Sequence, residues 1–325
     1  MGPKGGPDRD PLGTVVVCTC RRPDLLSGAL ESLAGQVWEE DRPFGILVVD
    51  DGPDEETREV AGRWGARYRA TTGEGIARAR NLGLREARGE WVAFFDDDQR
   101  ASSRWLRELV RVFREKGAPI VAGPRRLVPL EGCPPLPSHE RLRNYLGGEE
   151  WGEVPRPLGG EEIPNTGNVL VGREVFERIG GFDPAFEEGG EDTDFFLRAR
   201  EAGFQAWCAP GAGADHLVGP EKTAPAWWRK RAFRGGAAEA RIRRKMGGRP
   251  ALLAGLLSRG WLALGGLPLM GAAFLGGRRE EALFRLYLFR FFLGYLARTP
   301  RFLLGREGAA AGGGPSFRRE ERERW

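Results

Sequence analysis

Short apolar runs alternate with segments of helical periodicity through the first part of this chain. The β-branched run Thr14–Thr19 predicts a buried strand. Pro23 then opens a helix in which Leu26, Ala29, Leu30 and Leu33 fall at i, i+3, i+4, i+7 spacing before Gly35 ends it. Residues 44–49 predict the next strand, which runs into Asp50-Asp51-Gly52. Asp54, Glu55 and Glu56 load the first turn of a following helix expected to bury Val60, Ala61 and Trp64. A weaker strand over 67–71, a helix over 75–88, a strand over 91–95 and a helix over 102–116, with Leu106, Val110 and Phe113 on one face, come next. Residues 120–123 close the series. Repeated β-α-β with short links predicts an α/β fold around a mostly parallel sheet, with functional loops at the carboxyl ends of its strands.

Those ends carry the acids. Trp91-Val92-Ala93-Phe94-Phe95 stops abruptly in Asp96-Asp97-Asp98, three carboxylates that repel one another unless a cation or a set of donors sits among them. On an extended chain Asp96 and Asp98 point to the same side and can both reach one oxygen-loving ion, Mg²⁺ or Mn²⁺. A solvated acidic turn is the other reading of this stretch taken alone. Asp50 and Asp51 end a second strand, so two acidic clusters are expected on the same rim, which favours the cation.

Composition localises the charge. The net charge is +4 with a pI near 9.0. Residues 226–249 hold nine basic side chains against Glu239 alone, a net +8 that accounts for the surplus. A local basic patch is expected, not a nucleic-acid-binding surface. Cys18, Cys20, Cys133 and Cys208 form no Cys-x-x-Cys pair and read as reduced, cytosolic and mostly buried. No apolar stretch follows Met1, so no signal peptide is expected.

Two acidic α/β classes fail at single residues. A haloacid-dehalogenase-type phosphatase wants Thr or Val where Arg100 stands, and a dinucleotide fold wants a third glycine where Gly73-Glu74-Gly75-Ile76-Ala77-Arg78 has arginine.

Five segments, in order, resemble the inverting family-2 glycosyltransferases of the GT-A fold. They are Val15-Val16-Val17-Cys18-Thr19-Cys20-Arg21-Arg22-Pro23, Leu47-Val48-Val49-Asp50-Asp51-Gly52, Ala79-Arg80-Asn81-Leu82-Gly83, Phe94-Phe95-Asp96-Asp97-Asp98 and Gly190-Glu191-Asp192-Thr193-Asp194. The resemblance covers residues 12–220 and implies a Rossmann-like sheet with flanking helices. Arg21 stands where many members have Asn, and Pro53 where many have Ser; both bear on the base or sugar of the donor.

The resemblance implies a UDP, dTDP or GDP sugar donor contacted by Thr19, Arg22, Asp50, Asp51, Arg80, Asp96 and Asp97. It places Asp50 at the base or ribose, Asp96 near ribose and metal, and Arg80 beside the nucleotide or diphosphate. Asp98 and His216 are the implied ligands of Mn²⁺ or Mg²⁺. On the acceptor side, Phe195, Ala199 and Ala202 at helical spacing put Glu191 and Asp192 in a first turn, where the helix dipole favours the ionised form a general base needs. Ordinary capping is the more common source of such acids in any one helix. The resemblance makes Asp192 the base, with Glu191, Thr166 and Asn168 as acceptor contacts. His139 receives no role.

The last third differs in kind. After the basic segment, residues 260–277 carry no charge, and 282–297 are aromatic and leucine-rich, interrupted by Arg285 and Arg290. Several glycines and Pro268 argue against a clean span. A helical hairpin on the inner face of the cell membrane, its basic patch against anionic lipid, is expected; a helical pair packed on the catalytic domain is the soluble alternative.

These readings divide the chain into a disordered 1–11, a catalytic domain over 12–225 with nucleotide-binding (12–123) and acceptor (124–225) halves, a membrane-associating extension over 226–305, and a disordered 306–325. The expected activity is metal-dependent inverting transfer of a sugar to a hydroxyl of a cell-envelope glycan or lipid-linked acceptor. A sugar-phosphate nucleotidyltransferase and a non-catalytic nucleotide-sugar-binding membrane scaffold are the alternatives.

Overall fold

The computed structural model describes residues 10–305. The expected tails therefore lie outside the described residues, apart from Asp10 and Pro11. Both of these are held, their carbonyls accepting from the Arg42 guanidinium at 3.2 and 2.9 Å.

Strands β1 (Thr14–Thr19), β2 (Gly45–Asp50), β3 (Arg67–Ala70) and β4 (Trp91–Asp96) alternate with helices α1 (Pro23–Ala34), α2 (Glu55–Arg63) and α3 (Ile76–Glu86). After β4 come β5 (Gln99–Ala101), α4 (Trp105–Glu115), β6 (Ile120–Ala122), β7 (Arg125–Pro129), α5 (Glu140–Tyr145) and β8 (Arg156–Pro157). Then follow β9 (Asn168–Gly172), α6 (Arg173–Ile179), α7 (Glu191–Glu201), β10 (Ala206–Cys208) and β11 (Ala214–Val218). A 3₁₀ turn, Pro220–Thr223, leads into two long helices, α8 (Pro225–Leu275) and α9 (Arg279–Leu303).

The main sheet has the order β3-β2-β1-β4-β9-β6-β10-β8. β1 to β4 are parallel, β9 runs antiparallel between β4 and β6, β10 is parallel to β6, and β8 is antiparallel to β10. Six of the eight strands thus share one direction, as expected of a mostly parallel sheet. The buried runs of β1 and β4 alternate between two layers. Val15, Val17, Ala93 and Phe95 pack under α1 and α4, whereas Val16, Val92 and Phe94 meet α3, α6 and α7 on the other face.

Local chemistry sets the helix ends. Asp54 caps α2 by accepting from the Thr57 amide and hydroxyl, each at 2.8 Å. The helix stops at Arg63, leaving Trp64 at its C-cap and only partly buried. α4 starts three residues later than expected, after a turn at 102–104 that follows strand β5, and β5 pairs antiparallel with β11. β11 also pairs in parallel with β7, making a second, three-stranded sheet that the periodicity does not reveal. All four cysteines are free, but only Cys208 is fully buried; Cys20 is exposed and Cys18 and Cys133 are intermediate.

α8 is not one rod. Gly248 has φ +67° and ψ −157°, and Pro250 follows, so the helix ends and restarts there. The bend brings Arg259 within 2.8 Å of Glu239, residues that a straight helix would hold about 30 Å apart. α9 closes a three-helix bundle. Gly236 of α8 and Gly294 of α9 let the two backbones touch: a Cβ at Gly236 would meet the Phe291 carbonyl, and one at Gly294 the Phe233 carbonyl. Trp228, Ala232, Phe284 and Tyr287 of this bundle share a core with Leu127, Leu142, Leu146 and Val218. The start of the bundle therefore packs on the α/β part of the chain.

Candidate active site

The carboxyl ends of β2 and β4 bring the two acidic clusters to one rim. They do different work there. Asp50 is fully buried, accepting from the Gly52 amide at 3.1 Å and the Tyr68 hydroxyl at 2.9 Å. Asp51 accepts from the Thr71 hydroxyl and from the Gly75 amide at 3.0 Å, tying down the loop that starts α3. Asp97 turns inward to the Thr19 hydroxyl at 2.7 Å and Arg22 at 2.8 Å. Its burial pushes the carboxyl up to about 7 against the pull of both partners. Thr19, Arg22 and Asp97, all expected at the donor, are thus engaged with one another. The chain also turns at Asp97-Asp98 instead of running on, so Asp96 and Asp98 are not the extended pair anticipated.

Asp96 and Asp98 both line the main cleft. Asp98 is the more elaborately held. The β5–β11 register puts His216 opposite Gln99, and the Leu217 amide donates to the Asp98 carbonyl at 2.8 Å, bringing residues 98 and 216 together. His216 Nε2 lies 3.5 Å from Asp98 Oδ1, while Lys222 Nζ lies 2.8 Å from Asp98 Oδ2 and 3.2 Å from His216 Nε2. Burial would raise the Asp98 carboxyl, but the His216 hydrogen bond and the Lys222 charge outweigh it and hold it well below the usual carboxylate range. Lys222 was not anticipated, because before a helix it looks like any surface lysine.

A carboxylate and an imidazole converging on one cationic group are a donor set suited to Mn²⁺ or Mg²⁺. Among the described residues no three His, Cys, Asp or Glu side chains cluster. A divalent ion at Asp98 and His216 therefore needs further oxygens from a diphosphate and water, a common arrangement at phosphate-binding sites.

Across the cleft, α7 presents Glu191 and Asp192. Glu191 is buried and paired with buried Arg80, whose guanidinium also sits 5.8 Å from the Phe182 ring centre. Burial raises the Glu191 carboxyl against the pull of Arg80. Arg80→Met is expected to cost about 3–5 kcal/mol in urea unfolding, because it strands a buried charge; a loss below about 1 kcal/mol would mean the pair carries little of the fold. Asp192 uses Oδ1 on the Thr193 amide at 2.7 Å and lines the cleft. Thr166 lines it too, but Asn168 does not. Asn168 donates to the Pro124 and Ala212 carbonyls at 3.0 and 2.9 Å and accepts from Trp105 Nε1 at 2.7 Å, so it braces three elements instead of meeting an acceptor. Glu149, also missed in the sequence, faces this side and pairs with Arg125 at 3.4 Å. Its carboxyl is raised by burial, with Asp192 adding to the effect.

The cleft measures about 1480 Å³ and is walled on one side by α8 and α9. Small-molecule pockets run to about 300–1,000 Å³, so there is room for more than a nucleotide sugar.

A Rossmann-like sheet with an acidic rim over such a cleft is the GT-A architecture of sugar-transferring enzymes. The profile of "Glycosyl transferase family 2" matches residues 14–164, and that of the "N-terminal domain of galactosyltransferase" residues 156–217. The succinoglycan biosynthesis protein ExoM of Rhizobium meliloti (strain 1021) is 31% identical over 70% of this chain and 73% of its own length. A hyaluronan synthase of Pasteurella multocida is 26% identical over 66% of this chain, which spans only 26% of that larger protein. In structure, the mannosyltransferase PcManGT from Pyrobaculum calidifontis, in complex with GDP-Man and Mn²⁺, superposes with a TM-score of 0.57 at 22% identity. That match covers 90% of this chain and 87% of the other, more than residues 12–225 alone could supply. The chain belongs to glycosyltransferase family 2 and is a glycosyltransferase of GT-A fold, with relatives in cell-envelope glycan synthesis.

Proposed function

We propose that this glycosyltransferase is metal-dependent and inverting, moving a sugar from a nucleoside-diphosphate donor to a hydroxyl acceptor. The observation that carries the reading is the meeting of Asp98, His216 and a cation in one cleft with Asp192. The acceptor oxygen attacks the anomeric carbon from the face opposite the leaving group. A new C–O bond forms as the bond to the diphosphate breaks, the electron pair leaves with the diphosphate, and the acceptor's proton passes to Asp192. Asp98 and His216 would hold the metal, which when bound supplies positive charge to the departing diphosphate. Lys222 places a second positive group beside the same oxygens. Arg80 fixes Glu191 beside the base, and Asp96 lines the donor side of the cleft. PcManGT's GDP-Man and Mn²⁺ support a nucleotide-sugar donor and a divalent ion.

The test is product analysis with a panel of UDP, dTDP and GDP sugars. Release of nucleoside diphosphate supports transfer. Pyrophosphate would indicate nucleotidyl chemistry, and neither product would leave a binding scaffold.

The proposed setting is the cytoplasmic face of a membrane, with a glycan or lipid-linked acceptor. Leu253, Leu257, Trp261 and Leu264 recur at helical spacing on the second arm of α8, and Leu257 and Trp261 are 75% and 82% exposed. The first arm supplies the cations expected against anionic lipid. The double variant Leu257→Asp, Trp261→Asp is expected to stay in the supernatant when sedimented with phosphatidylglycerol vesicles that pull down the parent. Equal pull-down would remove this face as the attachment site.

A further inference from the structure

The basic segment is less of a lipid-facing patch than its composition suggests. Arg243 pairs with Glu239 at 2.7 Å, and Lys245 with Asp183 and Asp194 at 2.8 Å each. Arg241 lies over the Phe186 and Phe302 rings, and Arg249 donates to the Leu303 carbonyl at 3.1 Å. Those four are engaged within the bundle or between it and the residues around α7. Lys230, Arg231 and Arg234 are exposed, have no ion-pair partner among the described residues, and line the cleft. They fall on one helical face, about two to three turns beyond Lys222, which touches Asp98.

Apolar side chains meet them from the other two arms. Phe291 lies against Gly235, 3.1 Å from where its Cβ would be, and Tyr287, Leu288 and Leu262 line the same cleft. The Glu239–Arg259 pair fixes the register of the bend and sets Leu262 level with this cationic turn. Leu262 is also half exposed, beside Trp261 on the outer apolar face. Leu262 thus joins the outer apolar face to the cleft wall that carries three cations without ion-pair partners among the described residues.

A ligand that uses both features needs a hydrocarbon chain ending in a strong anion. We infer that this wall binds the lipid phosphate or diphosphate on which the acceptor sugar is carried. Lys230, Arg231 and Arg234 meet the phosphate oxygens, and Leu262, Leu288 and Phe291 meet the first part of the chain. The inference rests on the glycosyl-transfer reading and names its acceptor class. A cleft larger than one nucleotide sugar requires is consistent with a second, long substrate.

The test uses the full chain in neutral detergent micelles, with radiolabelled farnesyl diphosphate as probe in equilibrium dialysis, and farnesol and inorganic pyrophosphate as competitors. Farnesyl diphosphate is expected to bind at least about tenfold more tightly than either competitor. R231Q/R234Q, two exposed positions, is expected to weaken farnesyl diphosphate at least about tenfold while leaving UDP or GDP affinity within about twofold. Leu288→Asn is expected to erase the advantage over pyrophosphate. Equal binding of farnesol, or an unchanged R231Q/R234Q variant, overturns the inference. So does a parallel loss of nucleotide affinity, which would assign the cations to the donor. If R231Q/R234Q loses binding to phosphatidylglycerol vesicles as completely as to farnesyl diphosphate, the cations serve membrane headgroups and the inference also falls. Wild-type protein that binds no nucleotide sugar at all would instead strike the underlying reading, and this inference with it.

Discussion

Asp98→Asn is expected to lower turnover by about 10²–10³-fold, the scale on which a single charge-stabilising group at a reacting centre acts. Asparagine keeps the size of the side chain, and the Leu217 amide still donates to the backbone carbonyl, so the β5–β11 pairing survives. What is lost is the carboxylate that Lys222 and His216 share. Manganese-dependent thermal stabilisation by the donor should vanish with it, while metal-free donor binding persists. Undiminished turnover would remove Asp98 from the chemistry. Full wild-type activity in chelator would instead assign the diphosphate charge to Lys222 and end the metal reading.

The second large effect is expected at Asp192. Asparagine can still accept from the Thr193 amide, as Asp192 does at 2.7 Å, so the first turn of α7 keeps its geometry. It cannot take up a proton, and turnover should drop by about 10²–10⁴-fold with donor affinity little changed. Glu149→Gln is the informative comparison, because Glu149 faces the same space and its carboxyl is already raised. A larger loss in that variant than in Asp192→Asn would move the base to Glu149. A product that retains the donor's anomeric configuration would rule out a single displacement altogether.

How much of this was legible depended on the range of the interactions. β1, β2 and β4 are runs buried on both faces, and the run alone announces them. β9 is just as buried, yet it was not read as a strand. Its five residues pair antiparallel with β4 and β6, and nothing local fixes that partner. The second sheet escaped for the same reason: His216 reaches Asp98 only through pairing of β5 with β11. Lys222 and Glu149 gave no signal beyond their charge. Asn168 was misjudged because a polar residue in a motif suggests a ligand, whereas all of its bonds go to the scaffold. The bend of α8 was also missed, although Gly247-Gly248-Arg249-Pro250, a stop followed by a start, carried its signal. Membrane attachment was expected from the charge of the basic segment, but several of its basic residues prove to be internal fastenings.

On the proposed membrane setting, that bend has a kinetic consequence. Because Gly248 folds α8 back on itself, the Glu239–Arg243–Arg259 cluster lies beside the apolar arm, and burying that arm across a bilayer would drag the cluster into hydrocarbon. Lying flat on lipid is the arrangement that leaves those charges at the headgroup level. An enzyme attached this way meets a lipid-borne acceptor by lateral diffusion. Its rate would follow the mole fraction of acceptor in the leaflet, and diluting the membrane with inert lipid would slow it even at constant bulk concentration.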